Sequence, residues 1–415
     1  PTFATYFEII TGTLHGDVDL AAFAQAWQLV IDRHAVLRTA VMWKGLNEAV
    51  QVVRKRAKLE VNHHDWRSLT SDEQEKALDE LFIAERTRGF DLSKAPLMRL
   101  ALIPLGDNYY RFVWVYHHGL VDGWSASIVF NDVFNFYEAL TSGVEPALSP
   151  PPSFRRYIEW VRKQDLDQAR DYWKRTLEGF RVATPIPFVR DVNGNVSDGT
   201  RSYREQEFKL SAETTARLVQ LSRQNQLTLN TICQGAWALL LNRYTGEREV
   251  VFGVAVSGRS AMIENIESMV GLLVNTLPAR IQVNANSILI PWLKELQSRQ
   301  WEMLKYEYSP LVQVRGWSEA SNSSPLFQSI LGFENHPIDY SLLDRNKKAS
   351  IRDVIHYHTA TGYPINLTIY PEAELTMKLL YDFSRVEDAV VERILSHFSR
   401  ALIEIANDPE RRVSE

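Results

Sequence analysis

The 415 residues contain a single cysteine, Cys233, so no disulfide bond can form within the chain. A reducing, cytoplasmic setting is therefore expected. No apolar run reaches the roughly 18 residues of a membrane-spanning helix, so no membrane partner is predicted. Acidic residues outnumber basic ones, 51 to 46, and the net charge of -5 argues against a protein that binds nucleic acid through its charge.

The apolar content is ordinary, because hydrophobic residues make up 45% of the chain and charged residues 23%, as in a globular protein with a large core. The chain begins at Pro1 without a methionine, so we expect a piece of a longer polypeptide. Strand and helix patterns alternate on both sides of a proline cluster, Ser149-Pro-Pro-Pro-Ser153. This alternation predicts an α/β protein with two halves of related architecture, residues 1–152 and 153–415.

One segment brings titratable groups to the place where a predicted strand meets a predicted helix. Residues 117–125 read His-His-Gly-Leu-Val-Asp-Gly-Trp-Ser and follow an alternating aromatic strand. Strand alternation places His118 on the face of Trp114 and Tyr116, and His117 on the opposite face. At most one of the two imidazoles can therefore face a substrate cavity.

Several roles are open for this segment. As purely structural residues, Asp122 would cap the helix, Ser125 would help to satisfy its first amide groups, and Gly123 would permit a tight turn. A metal site is less favoured, because adjacent strand histidines point apart and Asp122 alone leaves too few ligands. Acid–base chemistry explains more, since an imidazole can accept a proton from an amine or hydroxyl nucleophile, or orient it, near neutral pH.

The sequence offers no obvious covalent nucleophile. It has no Gly-x-Ser-x-Gly run, and Cys233 lies in an apolar stretch, so direct transfer between two bound substrates is favoured. A second histidine tract, His63-His64-Asp65, has a similar composition but is followed by neither a glycine nor a helix. We interpret this second tract as the end of a surface strand.

The pattern His-His-x-x-x-Asp-Gly-Trp-Ser strongly resembles the active-site motif of condensation domains of non-ribosomal peptide synthetases, within the chloramphenicol acetyltransferase-like superfamily. Six further segments resemble that family in the same order along the chain. They are Asp32-Arg-His-Ala-Val-Leu-Arg-Thr39, Tyr157-Ile-Glu-Trp160, Val256-Ser-Gly-Arg259, Val270-Gly-Leu-Leu-Val-Asn-Thr276 with Arg280, Tyr306-Glu-Tyr-Ser-Pro-Leu311, and Ser324-Pro-Leu-Phe327 with Phe333-Glu-Asn335. The family's first motif, a glutamine-containing segment, is missing, as expected if the chain begins inside the domain.

The resemblance implies a role for each residue of the motif. His118 would be the catalytic histidine, acting on the acceptor amine either as a base or as a positioning group. His117 would be structural, and so would Asp122, ion-paired with an arginine for which Arg259 is the first choice. Gly123 would let the backbone approach the reacting centre, and its amide would favour negative charge on the carbonyl oxygen.

The resemblance also implies roles outside the motif. Trp124, Ser125, Asn275 and Thr276 would lie near a tunnel or an interface between lobes, although a structural role is at least as well supported for the last two. Arg280 would lie there too, and it is the second choice of partner for Asp122.

The implied architecture is two acetyltransferase-like lobes in a V, with a tunnel that admits two phosphopantetheine arms. Those arms would belong to an upstream and a downstream peptidyl carrier protein, next to an adenylation domain, and the domain itself would bind no metal or organic cofactor. The implied reaction joins a donor acyl or peptidyl thioester to an acceptor aminoacyl thioester.

Other functions stay open at this point. They are a condensation domain that also modifies a side chain, for example by dehydration; an epimerisation relative; a coenzyme A-dependent acyltransferase; and a non-catalytic docking platform. A heterocyclisation domain is disfavoured, because those relatives carry an aspartate pattern in place of the double histidine.

Overall fold

The computed structural model describes residues 7–146, 148–190, 203–260, 262–320, 325–335, 349–357 and 362–414. Of the motif residues quoted above, Ser324 lies outside these ranges. The chain divides into two compact units. The first comprises Pro1–Arg162, Ala261–Leu273 and His336–Thr359, and the second comprises Lys163–Ser260, Val274–Asn335 and Ala360–Glu415.

These units differ from the predicted bounds of 1–152 and 153–415 in two respects. The helix Phe154–Val161, which follows the proline cluster, lies with the first unit. Two later segments also return to the first unit, and one of them supplies a strand of its sheet. A local pattern shows where a chain bends, but a later return depends on contacts that are distant in sequence.

The elements of the first 162 residues, in chain order, are β1 (Phe7–Gly16), α1 (Leu20–Arg33), β2 (Thr39–Met42), β3 (Val50–Val53), β4 (Glu60–His63), α2 (Ser71–Arg88), β5 (Met98–Gly106), β6 (Tyr109–His117), α3 (Gly123–Ser142) and α4 (Phe154–Val161). The elements that follow are α5 (Leu166–Thr176), β7 (Tyr203–Lys209), α6 (Ala212–Asn225), α7 (Leu229–Thr245), β8 (Glu249–Val256), β9 (Asn275–Gln282), α8 (Leu289–Leu304), α9 (Leu311–Trp317), β10 (Ser329–Phe333), β11 (Ala349–Tyr357), β12 (Ile365–Tyr370), β13 (Thr376–Asp382) and α10 (Asp388–Asn407). Short 3₁₀ helices span Ala35–Arg38 and Ile266–Ser268.

The first unit is built on a sheet whose described strands run in the order β11-β1-β6-β5-β4. β1 is antiparallel to both of its neighbours, and only the pairing of β4 with β5 is parallel. β2 and β3 form a separate antiparallel pair. The strand that carries the motif, β6, is therefore central and is supported from both sides.

The aromatic face of β6 is core. The Trp114 ring lies 4.9 Å from the ring of Trp27 in α1 and 5.3 Å from that of Phe130 in α3, and Tyr116 stacks on it at 4.3 Å. Trp114 and Tyr116 are fully buried. Burial of each such ring contributes a few kcal/mol, so this packing holds the start of α3 firmly against the end of β6.

The second unit has a sheet whose described strands run in the order β7-β13-β12-β10-β8-β9. β10 is parallel to both β8 and β12, and the other pairings are antiparallel. Helices α7 and α10 meet through Trp237 and Phe398, whose rings lie 5.9 Å apart in the core. Within the described residues, each unit thus has its own sheet and its own hydrophobic core.

Local turns and caps set where two elements of the first unit begin. β2 begins at Thr39, after a 3₁₀ turn that buries Val36 and Leu37. Thr70 caps α2, because Thr70 and Glu73 form a reciprocal capping box.

Candidate active site

The turn after β6 places the two motif histidines in different surroundings. β6 ends at His117, one residue before the strand end that the alternating pattern predicts. His118 is therefore the first residue of the turn. Strand alternation therefore does not set the direction of His118. The contacts of the turn set it instead.

The imidazole of His118 is oriented by the turn that it begins. Its Nδ1 lies 2.9 Å from the carbonyl oxygen of Val121. A carbonyl can only accept a hydrogen bond, so Nδ1 carries the proton and Nε2 holds a lone pair. His118 is half-buried, whereas Val121 is fully buried. The arrangement thus fixes both the tautomer and the ring plane of an imidazole whose Nε2 can accept a proton.

His117 is held within the first unit. Its backbone N–H donates to the Leu97 carbonyl at 3.0 Å, and its Nδ1 accepts from the Gly119 N–H at 3.0 Å. The ring packs edge-on against Phe90. Burial, with a smaller contribution from the charge of His118, lowers the pKa of His117 to about 4, so the ring is neutral at physiological pH. These contacts hold the His117 ring inside the first unit.

Asp122 is the N-cap of α3, which confirms the prediction that it would cap this helix. Its Oδ1 accepts from the Ser125 N–H at 2.8 Å, and its Oδ2 accepts from the Leu273 N–H at 2.9 Å. Its own N–H donates to the Gly271 carbonyl at 3.3 Å. Asp122 is only 2% exposed, so removing the carboxylate would leave two buried amide groups without this acceptor.

Gly123 is the first helical residue of α3. Its N–H is one of the first amides of the helix, which have no acceptor inside the helix, and the helix dipole makes this end electropositive. The sequence Asp-Gly thus places a cap and a backbone donor next to each other, four and five residues after His118.

Trp124 and Ser125 contact a part of the chain that lies far away in sequence. We call residues 262–273 the returning segment, because they belong to the first unit between stretches of the second. Ser125 Oγ donates to the Gly271 carbonyl at 2.7 Å and accepts from the Gly271 N–H at 3.0 Å. The prediction that Ser125 satisfies the first helical amides is thus wrong for its hydroxyl. Trp124 Nε1 donates to the Glu267 carbonyl at 2.8 Å.

The returning segment contains site residues that the sequence did not single out. A Cβ on Gly271 would lie 2.2 Å from the Phe154 ring of α4, so only glycine fits between α4 and the start of α3. Leu273 supplies the second amide that Asp122 accepts. Both residues lie inside the motif Val270-Gly-Leu-Leu-Val-Asn-Thr276, which was the sequence signal that could have pointed to them. A single sequence does not show that this motif contacts the start of α3.

Arg280 is engaged inside the second unit. It forms an ion pair with Glu249, at 2.5 Å, and its Nη1 donates to the Thr176 and Glu178 carbonyls. All three guanidinium nitrogens therefore have acceptors there. These bonds disfavour Arg280 as the partner of Asp122.

Asn275 and Thr276 begin β9. The Asn275 Nδ2 donates to the backbone carbonyls of Glu307 and Ser309, at 2.8 and 2.7 Å, and its Oδ1 accepts from the Thr276 N–H at 2.8 Å. This favours the structural alternative that was left open for the pair.

Arg259 is 9% exposed, and its Nη1 donates to the Ser257 carbonyl at 3.2 Å. It also lies near a buried carboxylate: burial raises the pKa of Glu307, while hydrogen bonds from Ser260 and the positive charge of Arg259 oppose that rise. Arg259 is thus held at the end of β8, close to residues that contact the start of β9.

In the described part of the chain, no group of three or more His, Cys, Asp or Glu side chains is placed to hold a metal ion. The same residues include no helix that is both long enough and apolar enough to span a bilayer.

Sequence and structure comparisons relate this chain to known proteins. A sequence model described as Condensation domain matches residues 3–415. One of the linear gramicidin synthase proteins of Brevibacillus parabrevis is 44% identical over 398 residues, which cover 96% of this chain and 5% of that protein. A second protein of the same synthase is 42% identical over 402 residues, 97% of this chain and 8% of that protein.

A solved structure of the first condensation domain of the calcium-dependent antibiotic synthetase, in complex with a substrate analogue, is similar in fold. Its TM-score is 0.79 at 18% identity, and the match covers 100% of this chain and 94% of that one. This likeness confirms the predicted α/β fold. The chain spans less than a tenth of the length of the two gramicidin synthase proteins that it matches.

Proposed function

Since this chain belongs to the condensation domain family, we propose that it forms an amide bond between two thioesters, each carried on the phosphopantetheine arm of a carrier protein. The donor is an acyl or peptidyl thioester, and the acceptor is an aminoacyl thioester. The observation that carries the proposal is the hydrogen bond from His118 Nδ1 to the Val121 carbonyl, because it leaves Nε2 as the proton acceptor.

In the proposed reaction the acceptor amine attacks the donor carbonyl. A C–N bond forms, the C–S bond of the donor breaks, and the proton lost by the amine ends on the departing thiolate. His118 Nε2 holds the amine through its lone pair, takes that proton as the C–N bond forms and passes it to the thiolate as the C–S bond breaks. Since an amine is partly neutral near pH 8, orientation of the nucleophile supplies part of the rate enhancement.

Negative charge develops on the donor carbonyl oxygen during the attack. The N–H of Gly123, at the electropositive start of α3, is the donor that we assign to this oxygen. A backbone donor suits this role because the helix has already oriented it, so little reorganisation is needed when the charge appears.

Asp122 and His117 support the site without taking part in the chemistry. Asp122 accepts hydrogen bonds from the N–H groups of Ser125 and Leu273, and so joins the start of α3 to the returning segment. His117 accepts a hydrogen bond from the Gly119 N–H within the turn. The predicted ion pair of Asp122 with Arg259 stays a proposal, and Arg259 is preferred because Arg280 is engaged by Glu249. The tunnel implied by the family resemblance also stays a prediction.

The proposed partners follow from the proposed reaction. An upstream and a downstream carrier protein bring the substrates, and an adenylation domain supplies the acceptor amino acid. This agrees with the length of the two gramicidin synthase proteins, of which this chain covers 5% and 8%. The phosphopantetheine belongs to the carriers and is therefore substrate rather than a resident cofactor.

The test loads donor and acceptor aminoacyl groups onto separate carrier proteins, mixes them with the domain and follows the product by intact-protein mass spectrometry. We expect the dipeptide on the downstream carrier. The same donors offered as coenzyme A thioesters provide a control, and we expect little product from them. Dehydrated or epimerised product would be visible as a mass change or by chiral analysis.

The outcomes separate the competing functions. Efficient use of coenzyme A thioesters would favour a stand-alone acyltransferase. No product with any carrier pair, together with retained binding of the carriers, would favour a non-catalytic platform. Full product formation by His118→Ala would contradict the mechanism itself.

A further inference from the structure

The two residues that flank the returning segment contact the same turn within the second unit. Ser260 precedes the segment and Asn275 follows it, and both contact the turn after α8, at residues 307–309. The segment itself contacts the start of α3, where Gly271 and Leu273 bond to Ser125 and Asp122. One turn of the second unit thus contacts the residues on both sides of the segment.

Glu307 holds the departing end with its side chain. Its Oε1 accepts from the Ser260 N–H at 3.1 Å and also from the Ser260 hydroxyl. The carboxylate is 2% exposed, and burying a charge is costly unless hydrogen bonds and opposite charge compensate it. Ser260 and the nearby Arg259 supply that compensation.

The backbone of the same turn holds the other end. The Asn275 amide donates to the carbonyls of Glu307 and Ser309. Ser309 is itself fixed, because it is fully buried and its Oγ accepts from Trp173 Nε1 at 2.9 Å. Asn275 is only two residues from Leu273, so at most about 7 Å of chain separates this anchor from the amide that Asp122 accepts.

We propose that Glu307 and Asn275 are positioning residues for the His118 loop, acting through the returning segment. Glu307 keeps the first end of the segment in place, and Asn275 keeps Leu273 where its N–H meets Asp122 Oδ2. The effect on rate rests on the proposed function. The effect on the returning segment does not, so the two can be tested separately.

The test compares Glu307→Ala, Glu307→Gln and Asn275→Ala with the unchanged domain, using hydrogen–deuterium exchange and kinetics. Glu307→Ala and Asn275→Ala should raise amide exchange about fivefold or more in peptides from residues 262–275 and 118–126, because local opening becomes easier there. Amide formation should fall about 10- to 100-fold in kcat with little change in KM, since small misplacements of reacting groups are costly.

Two variants separate positioning from a general loss of structure. Glu307→Gln keeps an oxygen that can accept from Ser260, so it should restore most of both readouts. Glu319→Ala is the matched control, because Glu319 also accepts a backbone N–H in the second unit, but that N–H belongs to Gly179 rather than to a residue at either end of the segment. It should leave both readouts unchanged.

The inference would be overturned if amide exchange in Glu307→Ala and Asn275→Ala equals that of the unchanged domain. A rise in exchange spread over the whole second unit would also overturn it. If Glu307→Ala fails to fold, Asn275→Ala and Glu307→Gln still decide it. Exchange is measured without substrates. A domain that makes no product therefore counts against the proposed function, and only an unchanged or delocalised exchange pattern counts against this inference.

Discussion

Two histidine tracts begin at the last residue of a strand in the same sheet and have nearly the same composition, yet they differ in burial and in bonding. His63-His64-Asp65 lies at the end of β4, at the sheet edge, and the Asp65 side chain is 54% exposed. His117-His118 lies at the end of the central β6, and Asp122 is 2% exposed. Asp65 bonds to Arg67, two residues away, whereas Asp122 bonds to Leu273, 151 residues away.

The difference shows that spacing, rather than residue type, makes a site. Three residues between His118 and Asp122 leave room for a turn whose Val121 carbonyl orients the imidazole, and for a helix that Asp122 can cap. In the other tract Asp65 directly follows the histidines, and no helix starts there. The prediction that His63-His64-Asp65 is the end of a surface strand is confirmed.

The largest contrast is expected in rate. In the proposed mechanism His118→Ala removes the nitrogen that accepts the amine proton, so amide formation should fall about 10²- to 10⁴-fold. His63→Ala, in the exposed tract, should leave the rate unchanged. Single-turnover kinetics with preloaded carriers measure both, and equal effects of the two substitutions would remove the distinction between the tracts.

The second contrast concerns stability. Asp122→Ala leaves the buried N–H groups of Ser125 and Leu273 without their acceptor, so the free energy of unfolding should fall by about 2–4 kcal/mol. Asp65→Ala should show no measurable change, because water replaces its exposed partners. Urea unfolding of both variants checks this, and a wild-type midpoint for Asp122→Ala would contradict it.

The third contrast tests the turn. A Cβ on Gly119 would lie 2.9 Å from His117 Nδ1, so Gly119→Ala forces the ring away and should cost about 1–3 kcal/mol. Gly106→Ala, in the hairpin between β5 and β6, is the matched control, because a Cβ there meets nothing within 4 Å. The control should leave the unfolding midpoint and the rate almost unchanged, and a similar loss in both variants would show that steric contact with His117 is not the cause.

The smallest effect concerns pH. Since the folded-state pKa of His117 is lowered to about 4 from the usual 6.5, the unfolded chain binds more protons between these values. Stability therefore falls as pH drops through this window, by about 1–2 kcal/mol after allowance for partial solvent screening. His117→Asn keeps an acceptor for the Gly119 N–H but does not titrate, so its stability should depend less on pH. An equally steep dependence, followed by thermal unfolding, would assign the slope to other groups.

Local features of the site were predictable from the sequence. Asp122 caps α3 because an aspartate just before an apolar helical run can accept an amide three residues on, and this needs no tertiary information. The central strand β6 followed from its alternating aromatic residues. The one-residue error at His118 has a local cause, since the turn begins where the strand pattern still continues.

Contacts between distant segments were not predictable. The hydroxyl of Ser125 bonds to Gly271, 146 residues away, and no local rule selects that partner over the helix itself. The ion pair of Arg280 with Glu249 depends on the register of β8 and β9, in which Glu249 lies opposite Gln282. A single sequence contains no information on register of this kind.

The proposed chemistry and the fold class follow from short-range order along the chain: the spacing of His118, Asp122 and Gly123, and the alternation of strands and helices. These depend on backbone geometry over a few residues. The placement of the returning segment against α3 and the contacts of Glu307 with Ser260 and Asn275 depend on chain segments that are about 30 to 150 residues apart. Such contacts form only when the whole fold offsets the entropy lost in bringing the segments together.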